Sequence, residues 1–336
     1  MVVSNEKRVC TNPGCKISEG GSCLESIDVT KQECPHYKLV DANNPLKEES
    51  TSKEKIKVSG IELYHGSEMT FAQTSIITNN CDTKLIAIVG ESKSGKTTLF
   101  AEYFINFQKG PFGDYCFAGS HTLIGLEKRC FYATVGSRAK KPDTERTQSK
   151  EFSFLHLAVK KKDNFEKPPI HFLFSDISGE RFRDAKTSTI LMQELKILKA
   201  ADYILFIIDG ERLADKSTRA VTIEDAKTFI RKALDEKIFG KDTRLKIAIS
   251  KWDYIYNDTS FNFEEKIVNV FKERFESGLA NIEFTKLAAR SKTSDIKAGM
   301  GLNELLNDWE KENFSQSNET RDSARSKRAF DNFMPQ

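Results

Sequence analysis

The sequence predicts an α/β domain whose mainly parallel sheet is covered by helices on both faces. Three observations carry that expectation: apolar runs of strand length, stretches of helical spacing between them, and a glycine-rich loop closing the first run. The runs are LIAIVG (85–90), IHFLFSD (170–176), DYILFIIDG (202–210) and LKIAIS (245–250). Each is almost continuously apolar rather than alternating, the pattern of a strand buried on both faces. Between and after them, Ile267, Phe271 and Phe275 recur at every fourth residue. Leu302, Leu305, Leu306 and Trp309 fit i, i+3, i+4, i+7. Each set lines one face of a helix.

The chain has 336 residues, with 52 Lys and Arg against 49 Asp and Glu, a formal charge of +3, 38% hydrophobic and 30% charged residues. That balance belongs to a folding chain rather than a disordered one. So small a net charge leaves no electrostatic footprint for bulk nucleic-acid binding. No run approaches the roughly 18 apolar residues of a membrane span. The first residues, MVVSNEKRVC, lack the apolar stretch of a secretory signal, so a cytoplasmic protein is expected.

Cysteine usage marks the N-terminal end. Four of the seven cysteines (Cys10, Cys15, Cys23 and Cys34) fall before residue 35. In a reducing compartment such a cluster reads as metal ligands before disulfides, and four thiolates can close a tetrahedral structural Zn²⁺ site. Pro13, Gly14, Gly20 and Gly21 lie between them and suit a small knuckle over residues 1–40. His36 is an alternative to one thiolate. Residues 41–59 are polar and charge-mixed and read as a linker. Residues 313–336 lose periodicity and carry Arg321, Arg325, Lys327 and Arg328, a disordered tail or a docking segment. The main domain is therefore placed at 60–312. Cys81, Cys116 and Cys130 are read as ordinary thiols.

After the first run comes Gly90-Glu91-Ser92-Lys93-Ser94-Gly95-Lys96-Thr97-Thr98, which satisfies G-x-x-x-x-G-K-[ST]. Glycines let such a loop curl so that successive backbone N–H groups face phosphate oxygens. Lys96 would reach the β- and γ-phosphates, and the Thr97 hydroxyl would ligate Mg²⁺. The following TTLFAEYFINF is a predicted helix whose positive N-terminal end faces the phosphates.

Asp176-Ile177-Ser178-Gly179 ends the second run as D-x-x-G. Its carboxylate would hold Mg²⁺ through water, and the Gly179 N–H would meet the γ-phosphate. Ser250-Lys251-Trp252-Asp253 ends the fourth run and matches [NT]-K-x-D except for Ser in place of Asn. A carboxylate at 253 accepts paired hydrogen bonds from guanine N1–H and N2–H₂, which adenine does not offer, and the Lys251 stem would lie over the base. Three motifs in this order, each closing an apolar run, point to GTP over ATP.

The loop, DISG and SKWD resemble the signatures of the translation-factor-related (TRAFAC) class of P-loop GTPases, with a Ras-like fold. FAGSHTLIGLEKRC (117–130), PDTERT (142–147) and DISGERFRDA (176–185), supported by IIDGERLAD (207–215), resemble the bacterial double-GTPase group, the TRAFAC-clade GTPase-domain proteins associated with prokaryotic conflict systems. The resemblance spans roughly 8–310, including the cysteine-rich start. It implies GTP and GDP as ligands, and a protein partner or activator encoded nearby. One departure stands out: a single phosphate loop is present, so a second GTPase domain is expected to be absent or supplied by another protein. The resemblance places switch I in PDTERT, with Thr147 as the second Mg²⁺ hydroxyl and Thr144 as the alternative. FAGSHTLIGLEKRC reads as an insertion beside switch I without an assigned use. Leu287-Ala288-Ala289-Arg290 resembles the loop whose backbone meets guanine O6, through Ala289.

Glu180 follows Gly179 where many small GTPases carry the Gln that orients the attacking water. A carboxylate cannot donate to the γ-phosphate and adds charge there, so slow hydrolysis is expected. Arg146 in switch I, acting as a finger in cis, and Lys93 in the loop are the candidate compensating cations. Two readings follow: a slow Mg²⁺-dependent GTPase switch, or a GTP-holding assembly module with little turnover.

Overall fold

The computed structural model describes residues 6–10, 12, 15–17, 23, 36–41, 66–131 and 152–311. The chain divides into two units, Met1–Glu62 and Leu63–Gln336. In the first, strand β1 (Glu6–Cys10) pairs antiparallel with β2 (Tyr37–Asp41), Cys10 standing opposite Tyr37. The Cys15 N–H donates to Asn12 O at 3.1 Å. Among the described residues no group of three or more His, Cys, Asp or Glu side chains is arranged to hold a metal. Cys34 lies outside the described residues, so the expected Zn²⁺ site gains no support here.

In the second unit a 3-10 turn over Ala72–Thr74 leads into a single helical turn, α1 (Ser75–Thr78). There follow β3 (Thr83–Gly90), α2 (Lys96–Gln108), β4 (Tyr115–Gly119), α3 (Leu123–Phe131), β5 (Phe154–Lys161) and β6 (Ile170–Asp176). Three short helices, α4 (Gly179–Thr187), α5 (Thr189–Glu194) and α6 (Lys196–Ala200), then lead to β7 (Tyr203–Asp209). Next come α7 (Gly210–Ala214), the long α8 (Lys216–Asp235), β8 (Arg244–Ser250), and α9 (Val270–Phe275) entered through a π-turn over Glu264–Asn269. β9 (Asn281–Lys286) and α10 (Leu302–Glu310) are the last of its described elements. No helix of the described residues is long and apolar enough to cross a membrane.

The seven strands align in the order β4-β5-β6-β3-β7-β8-β9. β3, β6, β7, β8 and β9 run parallel, while β5 is antiparallel to β6, and β4 to β5. This is the α/β sheet that the apolar runs predict. All eight residues of β3 are buried because helices cover both faces. On one face Leu85, Ala87 and Val89 pack with Phe182 of α4, Phe229 of α8 and Phe271 of α9. On the other, Ile86 and Ile88 pack with Leu99 and Tyr103 of α2 and with Leu305 and Trp309 of α10. Trp309 stands edge-on to Phe174 at 5.5 Å, and the Tyr103 hydroxyl donates to Leu302 O at 2.7 Å, tying α10 to α2.

The sequence block 117–130 is not a loose insertion. Its first residues complete the outer edge strand β4, and its last form α3, which is packed against α2 through Leu126. The chain leaves β3 toward β6 on one side and returns to β7 on the other. The ends of these strands therefore open onto a crevice where the strand order reverses, the usual ligand position in open α/β sheets.

Candidate nucleotide-binding site

Between β3 and α2 the loop 90–95 folds back on itself. A Cβ at Gly90 would stand 2.4 Å from Ile207 O of β7, so only glycine lets the loop pass this close to its neighbour strand. Lys93 sits in the left-handed region (φ 64°) with its side chain exposed. The Ser94 N–H donates to Glu91 O at 3.3 Å, and the Lys96 ammonium lies across the loop, donating to Gly90 O and Glu91 O at 2.9 Å each. Burial pushes the Lys96 ammonium below its ordinary pKa, against the opposing charges of Asp176 and Glu91. A phosphate would add counter-charge to this desolvated cation. Ser94 Oγ is buried without a hydrogen-bond partner among the described residues. Thr98 is half-buried in the first turn of α2.

Glu91 turns out of the loop toward cations. Arg183 of α4 donates to it at 3.3 Å, with Lys186 at 4.0 Å and Arg212 of α7 at 3.9 Å. Ser92 meets the start of α4: a Cβ on Gly179 would fall 2.3 Å from the Ser92 nitrogen, so the D-x-x-G glycine is in backbone contact with the phosphate loop. Ser178 caps α4, its hydroxyl accepting the Arg181 N–H, and leaves Glu180 exposed in the first turn.

At the end of β6 the Asp176 carboxylate is buried beside Thr97, whose hydroxyl donates to Oδ2 at 3.4 Å. This is an all-oxygen donor pair next to the phosphate cradle. Mg²⁺ is held by one or two such ligands with water and substrate phosphates, so the residues present fit it. A cation already touches Asp176: Arg129 Nη1 of α3 donates to the same Oδ2 at 3.0 Å.

The second cluster lies at the end of β8. Ser250 donates to Ser94 O at 2.7 Å, with Ile208 O at 3.2 Å, so a hydroxyl at this position joins the phosphate loop to the base loop. Lys251 takes a left-handed φ of 47° and pairs with Asp209 at 2.9 Å and Glu211 at 2.8 Å. Burial would lower the Lys251 pKa, but these two carboxylates outweigh it and raise it. Asp253 is buried; its Oδ2 accepts the Lys292 N–H at 3.0 Å, while Oδ1 has no hydrogen-bond partner among the described residues. The Trp252 N–H donates to Leu287 O at 2.9 Å, which brings the half-buried Ala289 to the same end of the sheet as Asp253.

The structure thus brings Lys96, Thr97, Asp176, Gly179 and the loop together, and sets Ser250 against Ser94, with Lys251 and Asp253 following it at the end of β8. Thr144, Arg146 and Thr147 lie outside the described residues. Sequence reasoning passed over Glu68 and Lys292, and noted Arg129, Asp209 and Glu211 only as parts of longer stretches. Nothing in sequence distinguishes Arg129 from its neighbours Glu127 and Lys128, which are exposed on the same helix. Only the docking of α3 turns one of them inward.

Fold and site together define a P-loop nucleotide-binding α/β domain of the GTPase kind. The family described as Double-GTPase 2 matches residues 84–310, and the chain belongs to it. No curated protein matches the chain. Among solved structures, the GDP-bound Roco2 RocCORdC of Methanosarcina barkeri is 14% identical with a TM-score of 0.33, the match covering 74% of this chain and 51% of that one. This chain thus spans about half the length of that protein. The signal recognition particle receptor SRb-GTP/SRX complex of Chaetomium thermophilum is 16% identical, TM-score 0.36, covering 63% and 93%. The GTP-bound Ski7 GTPase-like domain of S. cerevisiae is 14% identical, TM-score 0.39, covering 69% and 51%.

Proposed function

We propose that this protein binds GTP with Mg²⁺, hydrolyses it slowly, and uses the nucleotide state as a switch toward a protein partner. The observation that carries the reading is Asp253, buried at the base end of the site with one carboxylate oxygen awaiting a donor. Guanine offers an adjacent pair of donors, N1–H and N2–H₂, to such a carboxylate, and adenine offers no such pair.

In this reading the loop from Gly90 to Thr98 cradles the phosphates and Lys96 clamps them. Thr97 and Asp176 hold the metal with the Thr147 hydroxyl, Gly179 meets the γ-phosphate, and the Ala289 backbone meets the base. Mg²⁺ when bound neutralises the charge of the β- and γ-phosphates. Arg146 and Lys93 are the cations proposed to compensate for Glu180. The cytoplasmic setting and the bacterial conflict system are proposals that rest on the sequence and its resemblance, as does a Zn²⁺ knuckle built on Cys10, Cys15, Cys23 and Cys34.

Glu180 supports a second reading, in which the chain holds GTP as an assembly module with little turnover. Its carboxylate is exposed beside Gly179 and cannot donate to a phosphate. Phosphate release from GTP with Mg²⁺ by the wild-type chain and by Glu180→Gln separates the two. The switch reading predicts slow release that Glu180→Gln accelerates by about tenfold or more. Release absent from both proteins, with GTP bound, would establish the assembly module instead.

A further inference from the structure

Arg129 is 5% exposed and bridges two carboxylates. Its Nε donates to Glu68 Oε1 at 2.5 Å and its Nη1 to Asp176 Oδ2 at 3.0 Å. The two ends of this bridge are unlike. Glu68 stands on backbone that is clamped from both sides: the Gly125 N–H of α3 donates to Gly66 O at 3.0 Å, and Met69 exchanges two hydrogen bonds of 2.9 Å with Phe154 of β5. Asp176 instead sits at the open end of β6, and the oxygen it gives Arg129 is the one that also accepts from Thr97.

We propose that Arg129 is an in-chain competitor of the metal: its guanidinium neutralises the Asp176 carboxylate at the oxygen shared with Thr97, and its fixed charge opposes the metal there. The inference rests on the reading of Thr97 and Asp176 as the metal residues. A guanidinium and a divalent cation repel, and a carboxylate already paired with one offers less charge to the other. Arginine stays charged at every working pH, so the competition cannot be relieved by losing a proton. Its anchor on Glu68 keeps the guanidinium at the site. Burial works against the charge of Arg129, but Glu68 and Asp176 outweigh it and hold it firmly protonated. Arg129 is therefore a positioning residue that sets the metal affinity of the site and ties metal occupancy to the seating of α3.

The test is a Mg²⁺ titration of the full chain loaded with a fluorescent GDP analogue, read as the slowing of analogue dissociation, with each protein referenced to its own rate in EDTA. Arg129→Met removes the competitor and should lower the half-saturating Mg²⁺ concentration by about tenfold. Glu68→Gln leaves the guanidinium only the Asp176 charge to pair with among these two carboxylates and should raise that concentration by a similar factor. A purely structural ion pair would weaken Mg²⁺ binding in Arg129→Met as well, because Asp176 would lose its support; that result, or no change in either variant, overturns the competition. Should Arg129→Met not fold, an unchanged or tighter Mg²⁺ response in Glu68→Gln overturns it equally. If the wild-type chain fails to bind the GDP analogue, the site reading itself falls, and the competition with it.

Discussion

Asp253 is 6% exposed and keeps one oxygen without a hydrogen-bond partner among the described residues. A buried acceptor left unmade costs about 1–3 kcal/mol, which a ligand donating two N–H groups returns. Replacing the carboxylate by an amide turns one acceptor into a donor facing guanine's own donors. Asp253→Asn should therefore weaken GTP binding by about tenfold to a hundredfold and favour xanthosine triphosphate, whose base carries a carbonyl where guanine has its amino group. Competition between the two nucleotides for the variant, read by fluorescence, checks this; unchanged guanine preference would remove Asp253 from the base site. The role proposed for Asp253 is read from the sequence, where D in S-K-x-D stands at a strand end. The use of Ser250 is not, because its value lies in the distance between two loops that are 156 positions apart in the chain. Arg129 was illegible for the same reason: its partners Glu68 and Asp176 lie 61 and 47 positions away.

At the scale of elements, α4 depends on a contact that tolerates no side chain. A Cβ at Gly179 would overlap the Ser92 backbone, and backbone on both sides leaves nothing flexible to yield. Gly179→Ala should displace the start of α4 from the phosphate loop, lowering phosphate release by about a hundredfold while GDP stays bound. Equal release in the variant would show that this contact is not part of turnover. Strands β5 and β6 carry a second coupling. His156 is buried, its Nδ1 accepting the His121 N–H at 2.9 Å, so its proton sits on Nε2 and is donated to His171 Nδ1 at 3.0 Å. Protonating His156 would set two N–H groups against each other, and burial, with the neighbouring histidines, depresses its pKa from 6.5 to about 3. The unfolded chain takes up that proton near pH 6.5 and the native one does not, so stability is full above this range and declines as the pH falls. The slope approaches about 1.4 kcal/mol per unit until the folded pKa is reached. His171 is depressed as well, by burial first and then by His121, and acts in the same direction. The urea midpoint should drop between about pH 7.5 and about pH 5.5, a window above the carboxylate range. A midpoint that does not change with pH would contradict the buried neutral pair. None of this was legible in the sequence, since a histidine in an apolar run announces neither its tautomer nor its neighbour.

Across the molecule, what could be read in advance follows from what is local. β3, β6, β7 and β8 are continuous apolar runs because both sheet faces are covered, and the spacing of Leu302 to Trp309 follows from the one face that α10 buries. Strand order was not readable. It depends on β3 pairing with β6 on one side and β7 on the other, contacts that no short window contains. β4 escaped for a further reason: two of its five residues are exposed, so it lacks the apolar signature of its neighbours. The same order brings the ends of β6, β3, β7 and β8 to one edge of the sheet, which is how three short sequence motifs, far apart in the chain, converge on one crevice. The central claim is that this crevice selects a guanine nucleotide. Its most direct test is a calorimetric titration of the full chain with GTP and, separately, ATP in the presence of Mg²⁺. The account predicts that GTP binds at one site at least about a hundredfold more tightly than ATP. Equal affinity, a preference for ATP, or no binding of either nucleotide would contradict it.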